Sequence, residues 1–452
     1  MAEIQPFRAY RYDTDLVALE DVLTQPYDKI TPAMHDAYYA RSPYNLIAIE
    51  RGRTSSDDTS ANNVYTRAAA KVDQWIATRI LKQDAAPAIY VYSQEFLVPG
   101  TNTRRTRIGF VALARVEDYD AKAVFRHEHT LSGPKADRLE LLRRTRLQTG
   151  QLFFLYDDRA RQIDTWLEQI ARTAAPNELR DEFGVTHRLW PVTDPAFVKR
   201  IQDTMAQKNL VIADGHHRYE TALNYRNECR ERAGKIDRMA ASEFAMATFI
   251  NTHSRGLTIL PTHRLVSHLA NFDFDRLRRN LSSAFDWYSY PFANADERDA
   301  AYVEFRKDLA RPNHGRRAIG IYPGARDSVG AFYLFVLRRD ADLETLLPNV
   351  SEAQRELDVV LLHRLILEKG LGITLEAVAG EKNLTYEREM DVAIATVDRQ
   401  EAQLAFLLNP VRVEQVTQIA LGGDVMPQKS TDFYPKLLSG IAIFRLEGRI
   451  AG

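Results

Sequence analysis

Asp214-Gly215-His216-His217-Arg218 sets a carboxylate, a turn residue, two imidazoles and a guanidinium where the apolar run NLVIA gives way to the polar stretch RYETALNYR. A buried strand ending at Ala213, a turn at Gly215 and a helix starting within one or two residues leave backbone N–H groups facing whatever lies beyond the strand. Such an end receives anions, phosphate first among them. His216, His217 and Arg218 share the first helical turn, where the dipole disfavours positive charge, and a bound phosphate resolves that conflict. The same residues also read as an N-cap, a turn glycine and partly exposed histidines, and that alternative stands beside the first. A zinc site needs two more ligands in tetrahedral array. His127 and His129 are available, but Glu128 between them breaks any recognised spacing.

Two further polar clusters carry chemistry. RHEHTLSGPKADRLELL brings Glu128, Lys135 and Arg138 within a dozen residues of His127, His129, Thr130 and Asp137. In extended chain Glu128 points away from its flanking histidines, because side chains alternate. A carboxylate there suits removal of a hydroxyl proton, and the cations suit phosphate charge; a solvated turn before a helix is the plain alternative. GGDVMPQKSTDFYPKLLSG offers Lys429, Ser430, Thr431 and Lys436 among loop formers. Gln428 stands where a phosphate-binding P-loop needs glycine, so the segment reads as a lid supplying Lys429 or as a surface loop. Tyr27 and Asp28 sit in a turn after Pro26. Asn251 and the pair His263-Arg264 each follow a strand, the usual place for site residues in α/β sheets. Neither G-x-S-x-G nor G-x-G-x-x-G occurs, which weighs against hydrolase-elbow and dinucleotide chemistry.

These residues need elements to hold them. Apolar positions at three- and four-residue spacing predict a helix over 62–83, and further helices are expected over 138–149, 163–173, 197–207, 218–233, 274–285, 296–309 and 359–367. Strands are expected at AIYVYSQEFLV, TRIGFVALAR, 123–125, QLFFLYDD, THRLWPV, NLVIA, FAMATFINT, AIGIYP, AFYLFVL and LAFLLNP. Prolines 6, 26, 32 and 43 make the N-terminal stretch loop-like. The alternation predicts a mixed α/β (α+β) layer fold, with a domain boundary near 265: 1–265 holding the phosphate-binding element and 266–452 a second α/β unit contributing the MPQKST loop.

The 452 residues are 45% hydrophobic and 27% charged, with 60 Lys+Arg against 61 Asp+Glu. No net field exists to recruit nucleic acid or an anionic membrane, so any anion site is built locally. The single cysteine, Cys229, excludes an intrachain disulfide and fits a reducing compartment. The N-terminal residues lack a secretory apolar core, and no apolar run approaches the roughly 20 residues that span a bilayer. The expectation is a soluble cytoplasmic protein.

QPYDKI, SPYNLI, HEHT with KADR, ADGHHRYETAL, ILPTHRL and MPQKSTDFYPKL occur in one order. On these motifs the chain resembles, over essentially its whole length, the family catalogued as domain of unknown function 1015. Its DGHHR element is also similar to that of free-serine kinases in the ParB and sulfiredoxin superfamily. The resemblance implies an N-terminal ParB/sulfiredoxin-like core in which Asp214, His216, His217 and Arg218 hold phosphate and Glu128 is the counterpart of the catalytic glutamate. It further implies a phosphotransferase acting on a small hydroxyl, free L-serine foremost, with ATP, ADP or pyrophosphate as donor and Mg²⁺ bridging donor oxygens from Asp214. The expected site has Glu128, Asp214 and His216 as catalytic groups. His217, Arg218, Lys135, Arg138, Lys429, Ser430 and Thr431 would grip phosphate, and Tyr27, Asp28, Asn251, His263 and Arg264 would contact substrate. A nucleotide-binding switch of ParB type, without small-molecule kinase activity, is the competing expectation. No nucleic-acid or membrane partner is expected, and the oligomeric state is open.

Overall fold

In the computed structural model the apolar runs pair into a mixed sheet in the first of two compact units and an antiparallel sheet in the second. The structure describes residues 1–128, 133–270, 272–311, 317–326, 329–374, 377–378, 380 and 382–450, with no side chains at 133–135 and 326. The first unit is Met1–Arg126, Thr130–Thr258 and Pro435–Gly452; the second is His127–His129 and Ile259–Tyr434. The expected division at 265 supposed continuous segments, whereas the chain leaves each unit and returns to it.

The sheet of the first unit uses β1 (Ile4–Gln5), β2 (Ile89–Leu97), β3 (Arg104–Arg115), β4 (Val124–Phe125), β5 (Leu152–Tyr156), β6 (Asn177–Arg180), β7 (Thr186–Val192), β8 (Leu210–Asp214) and β9 (Phe244–Asn251). Their order is β4-β8-β5-β9-β3-β2-β7-β6, with β1 paired to β3. β9 runs parallel to β5 and antiparallel to β3, and all eight of its residues are buried, as befits a strand covered on both faces. Gly109 of β3 is required there, because a Cβ would stand 2.3 Å from the Phe249 carbonyl oxygen. Ile163 and Leu167, Phe197, Ile201 and Met205, and Tyr219 and Ala222 bring three helices, Gln162–Thr173, Pro195–Met205 and His216–Ala233, onto this core. Asp194 caps the second of these through the Ala196 N–H, ahead of Pro195 at the first helical position.

Three sequence expectations change in this unit. The N-terminal stretch is not only loop: it contains helices Leu19–Val22, Pro32–Arg41 and Ile47–Glu50. Thr31 and Pro32 form a proper helix start, but the helix that follows has no clear apolar stripe to reveal it. The charged helix ends at Thr145, and Leu147–Gln148 pairs instead with Phe444–Arg445. The central helix begins at His216, two residues earlier than expected.

In the second unit β10 (His263–Val266), β11 (Phe285–Phe292), β12 (Ala318–Tyr322), β13 (Val329–Leu337), β14 (Leu384–Glu387) and β15 (Leu404–Leu407) order as β11-β13-β12-β15-β10-β14. Helices Ala295–Ala310 and Met390–Asp398 cover one face through Phe305, Leu309, Ala393 and Val397. FDWYSYPF is a strand missed in the sequence, and the helix before it stops at Leu281. Among the described residues, no helix is long and apolar enough to cross a membrane.

Candidate anion site at a helix start

β8 is buried along Leu210–Ala213 and delivers Asp214 to its end. Gly215 then turns the chain at φ 92°, a left-handed conformation that favours glycine, and the helix starts at His216 without a side-chain cap. A Cβ at Gly215 would also meet Arg218 Nε at 3.2 Å and Leu152 Cδ2 at 3.3 Å. Gly215→Ala should therefore cost about 1–2 kcal/mol for the backbone conformation, plus whatever the displaced Arg218 adds. Gly234, at φ 63° with nothing within 4 Å, isolates the first term. Urea unfolding of both variants is expected to show the larger loss at 215; equal losses would mean the Arg218 contact is immaterial.

The helix is anchored before it does any chemistry. Tyr219 is buried, and its hydroxyl donates to the Glu117 carbonyl at 2.7 Å while accepting the Glu117 N–H at 3.0 Å. Buried Arg226 donates to the Val116 carbonyl at 2.6 Å and to Asp118. These contacts fix the direction in which the helix start points.

Around Asp214 cationic side chains collect. Lys436 Nζ donates to Asp214 Oδ2 at 2.8 Å, and Arg218 Nη2 lies 3.7 Å from Oδ1. Burial would raise this carboxyl, but Lys436, then Arg218 and Lys29, outweigh it and hold Asp214 ionised far below the usual carboxylate range. Lys436 is itself held by its backbone. Gln94 Nε2 donates to the Lys436 carbonyl at 2.8 Å, and buried Arg107 donates to the Pro435 carbonyl at 2.5 Å and to Gln94 Oε1 at 3.1 Å. Burial lowers Arg107 to about 10, so it stays charged at neutral pH. His216 is buried and His217 half-buried in the first turn.

Tyr27 joins this region. The Arg138 guanidinium stacks 4.6 Å from its ring centre, and burial raises the Tyr27 hydroxyl against the opposing charge of Arg218. Asp28 is exposed beside it. Arg138 donates to the Glu50 carbonyl at 2.8 Å and to Asp137 Oδ2 at 2.7 Å through Nε. Arg138 thus braces Glu50 beside the Tyr27 ring.

The start of the second sequence cluster and the MPQKST part of the third meet in the second unit. Glu128 Oε1 accepts the Lys429 N–H at 2.6 Å, Met426 N–H donates to the His127 carbonyl at 2.8 Å, and His127 Nε2 lies 3.0 Å from Thr431 Oγ1. Lys429 has φ 57°, and its carbonyl accepts from Arg264 Nη2 at 3.0 Å. The Lys429 side chain is exposed. His129, Thr130 and the Lys135 side chain lie outside the described residues.

Several expected ligands are engaged elsewhere. The Ser430 hydroxyl donates to the Pro427 carbonyl at 2.5 Å and Thr431 is turned to His127, so both hold the loop rather than reach for phosphate. Asn251 is fully buried: it accepts the Asp158 and His253 N–H groups and donates to the Asp158 carbonyl, which closes a turn and leaves no amide for substrate. His263 Nδ1 accepts the Leu408 N–H at 3.1 Å, and Arg264 braces Lys429 from within the protein. Sequence reasoning missed Glu50, Gln94 and Arg107 and left Lys436 unassigned. Only DFYPKL hinted at Lys436; the others are isolated polar residues in apolar segments, visible as odd but not as partners.

The expected Mg²⁺ ligand, Asp214, already holds an ammonium and faces a guanidinium. Among the described residues no three His, Cys, Asp or Glu side chains group to hold a metal ion. The residues present do not fit a protein-held Mg²⁺, and no step is routed through one.

A mixed α/β protein with a glycine-turned, uncapped helix start at the end of a sheet strand, ringed by cations, is what fold and site define. The chain belongs to the family described as protein of unknown function, DUF1015, whose model matches residues 4–360. No curated protein matches it. Among solved structures it is similar to a conserved hypothetical protein from Pyrococcus furiosus, at 12% identity over 69% of this chain and 87% of that one, TM-score 0.30. It is also similar to a free serine kinase mutant in complex with ADP, at 11% identity over 72% and 89%, TM-score 0.33. A third is free serine kinase in complex with AMP, at 11% identity over 72% and 88%, TM-score 0.32.

Proposed function

We propose that this protein is a phosphotransferase that grips a donor phosphate at the Gly215–Arg218 helix start and passes a phosphoryl group to a small hydroxyl, free L-serine first, from ATP, ADP or pyrophosphate. The observation that carries the reading is the gathering of cations there: Lys436, Arg218 and Lys29 act on the Asp214 carboxylate beside N–H groups of an uncapped helix. Asp214 in this reading is a positioning residue for Lys436 and Arg218. The acceptor oxygen attacks the terminal phosphorus, the bond from phosphorus to the bridging oxygen breaks, and the departing ADP, AMP or phosphate carries off the electron pair. The hydroxyl proton goes to a carboxylate, for which Glu128 is proposed on its motif. Negative charge on the transferring and leaving groups is what Arg218 and Lys436 stabilise.

The test is to incubate the full chain with L-serine and, separately, ATP, ADP or pyrophosphate, with and without Mg²⁺, and to follow O-phosphoserine. One donor is expected to give product, and Glu128→Gln to reduce its rate by about 10²–10⁴-fold. No product with any donor would remove the serine kinase reading, and undiminished turnover in Glu128→Gln would remove that residue as base.

A further inference from the structure

Beside the anion site the first unit holds a partly open cavity of about 70 Å³ lined by Glu50, Arg138, Thr149 and Arg218, with a wall of Leu141, Leu142, Leu147, Leu152, Ala222 and Met246. That volume is about half of the roughly 150 Å³ that holds a six-membered ring, so it takes the aliphatic end of a small molecule whose polar groups sit against Glu50 and the guanidiniums. Glu50 is 5% exposed; it accepts from the Thr149 hydroxyl and lies 3.3 Å from Arg138 Nη1. Glu50 and Arg138 also line a wider polar cleft of about 580 Å³, together with His35, Arg51, Arg53 and Asp137. The pair therefore stands between a cation-rich vestibule and a mostly apolar chamber. Gly150 keeps the chamber open, because a Cβ there would lie 3.2 Å from Arg218 Nη1 and 3.3 Å from Ser439 Oγ.

A buried carboxylate and two guanidiniums around one small apolar-walled space are matched by a ligand with both signs of polarity a short distance apart. We propose that this cavity binds a short aliphatic acid carrying a hydrogen-bond donor on its α-carbon, its carboxylate toward Arg218 and Arg138 and its α-amino or α-hydroxyl group on Glu50. The short aliphatic part lies on the leucine wall. As a binding site it stands whether or not the protein transfers phosphoryl groups; as the acceptor's place it rests on that reading.

Calorimetric titration of the full chain with L-alanine, L-lactate and propionate, without any phosphate donor, tests it. Alanine or lactate is expected to bind at least about tenfold more tightly than propionate, which lacks the α-donor. Whichever of the two binds better identifies the donor as ammonium or hydroxyl. Glu50→Gln should erase the preference while thermal unfolding stays cooperative. If that variant does not fold, Ala222→Leu, which fills the chamber, should abolish binding of all three. Absence of alanine and lactate binding, equal affinity for propionate, or unchanged binding in the folded variants would overturn the proposal. Phosphoserine formation without such binding would remove this inference and keep the proposed function. Binding without phosphoserine would do the reverse.

Discussion

Lys436→Met is expected to lower the rate of phosphoserine formation by at least about 100-fold and to destabilise the fold, and the two losses should separate. A cation facing the transferring phosphoryl group contributes about 10³–10⁵-fold in related chemistry. Lys436 acts here alongside Arg218, so the smaller loss is expected for either alone. The stability loss has a different origin: without the ammonium at 2.8 Å, the largely buried Asp214 carboxylate loses its closest partner. Breaking fully buried pairs costs 3–5 kcal/mol, and with side chains 11% and 23% exposed about 1–2 kcal/mol is the appropriate scale. Adding Asp214→Asn removes the orphaned charge, so the double variant should regain stability without regaining turnover. Urea unfolding and a donor-saturated rate assay on the same preparations check this. Joint recovery of both would mean that Lys436 serves only the fold.

Acid should unfold this protein early through two histidines of the second unit. His263 and His363 are 0% and 2% exposed. Burial, with Arg264 nearby and Arg364 also beside His363, pushes their rings down to about 4 and about 3. Among the described residues, neither nitrogen of His363 has a hydrogen-bond partner, nor has Nε2 of His263. Both rings are therefore neutral in the folded protein. Unfolding restores a value near 6.5, so below that pH the unfolded chain takes up protons that the folded chain refuses, and stability falls until the folded values are reached. At pH 5 the loss is about 2 kcal/mol for each ring. His363→Leu, which removes one of the two rings, should reduce the loss of unfolding free energy between pH 7.5 and pH 5 by about 2 kcal/mol. An unchanged difference in that variant would place the acid sensitivity elsewhere.

The physical account of what could be read in advance differs between elements and site. Strands such as FAMATFIN and LFFLY declare themselves because apolar runs bounded by turn residues have few other uses, and the helix after Gly215 follows from a glycine at a strand end. FDWYSYPF hid because an exposed sheet face mixes tyrosine, serine and tryptophan without clean alternation. Pro32–Arg41 hid because its cap is informative but its faces are not. The charge of Arg138 is visible in sequence, whereas its partner Glu50 is 88 positions away.

The helix start from Asp214 to Arg218 was decided by sequence alone: strand, positive-φ glycine and helix are consecutive, and local backbone rules suffice to turn their N–H groups outward. Sequence likewise supplied Glu128 and the MPQKST loop as separate polar segments. Their contact, the reach of Lys436 across 222 positions to Asp214, the Arg107–Gln94 brace behind it and the chamber at Glu50 were decided only by tertiary structure. Each depends on a long-range pairing whose free energy comes from burial and charge compensation between segments, and no local spacing encodes which segments meet.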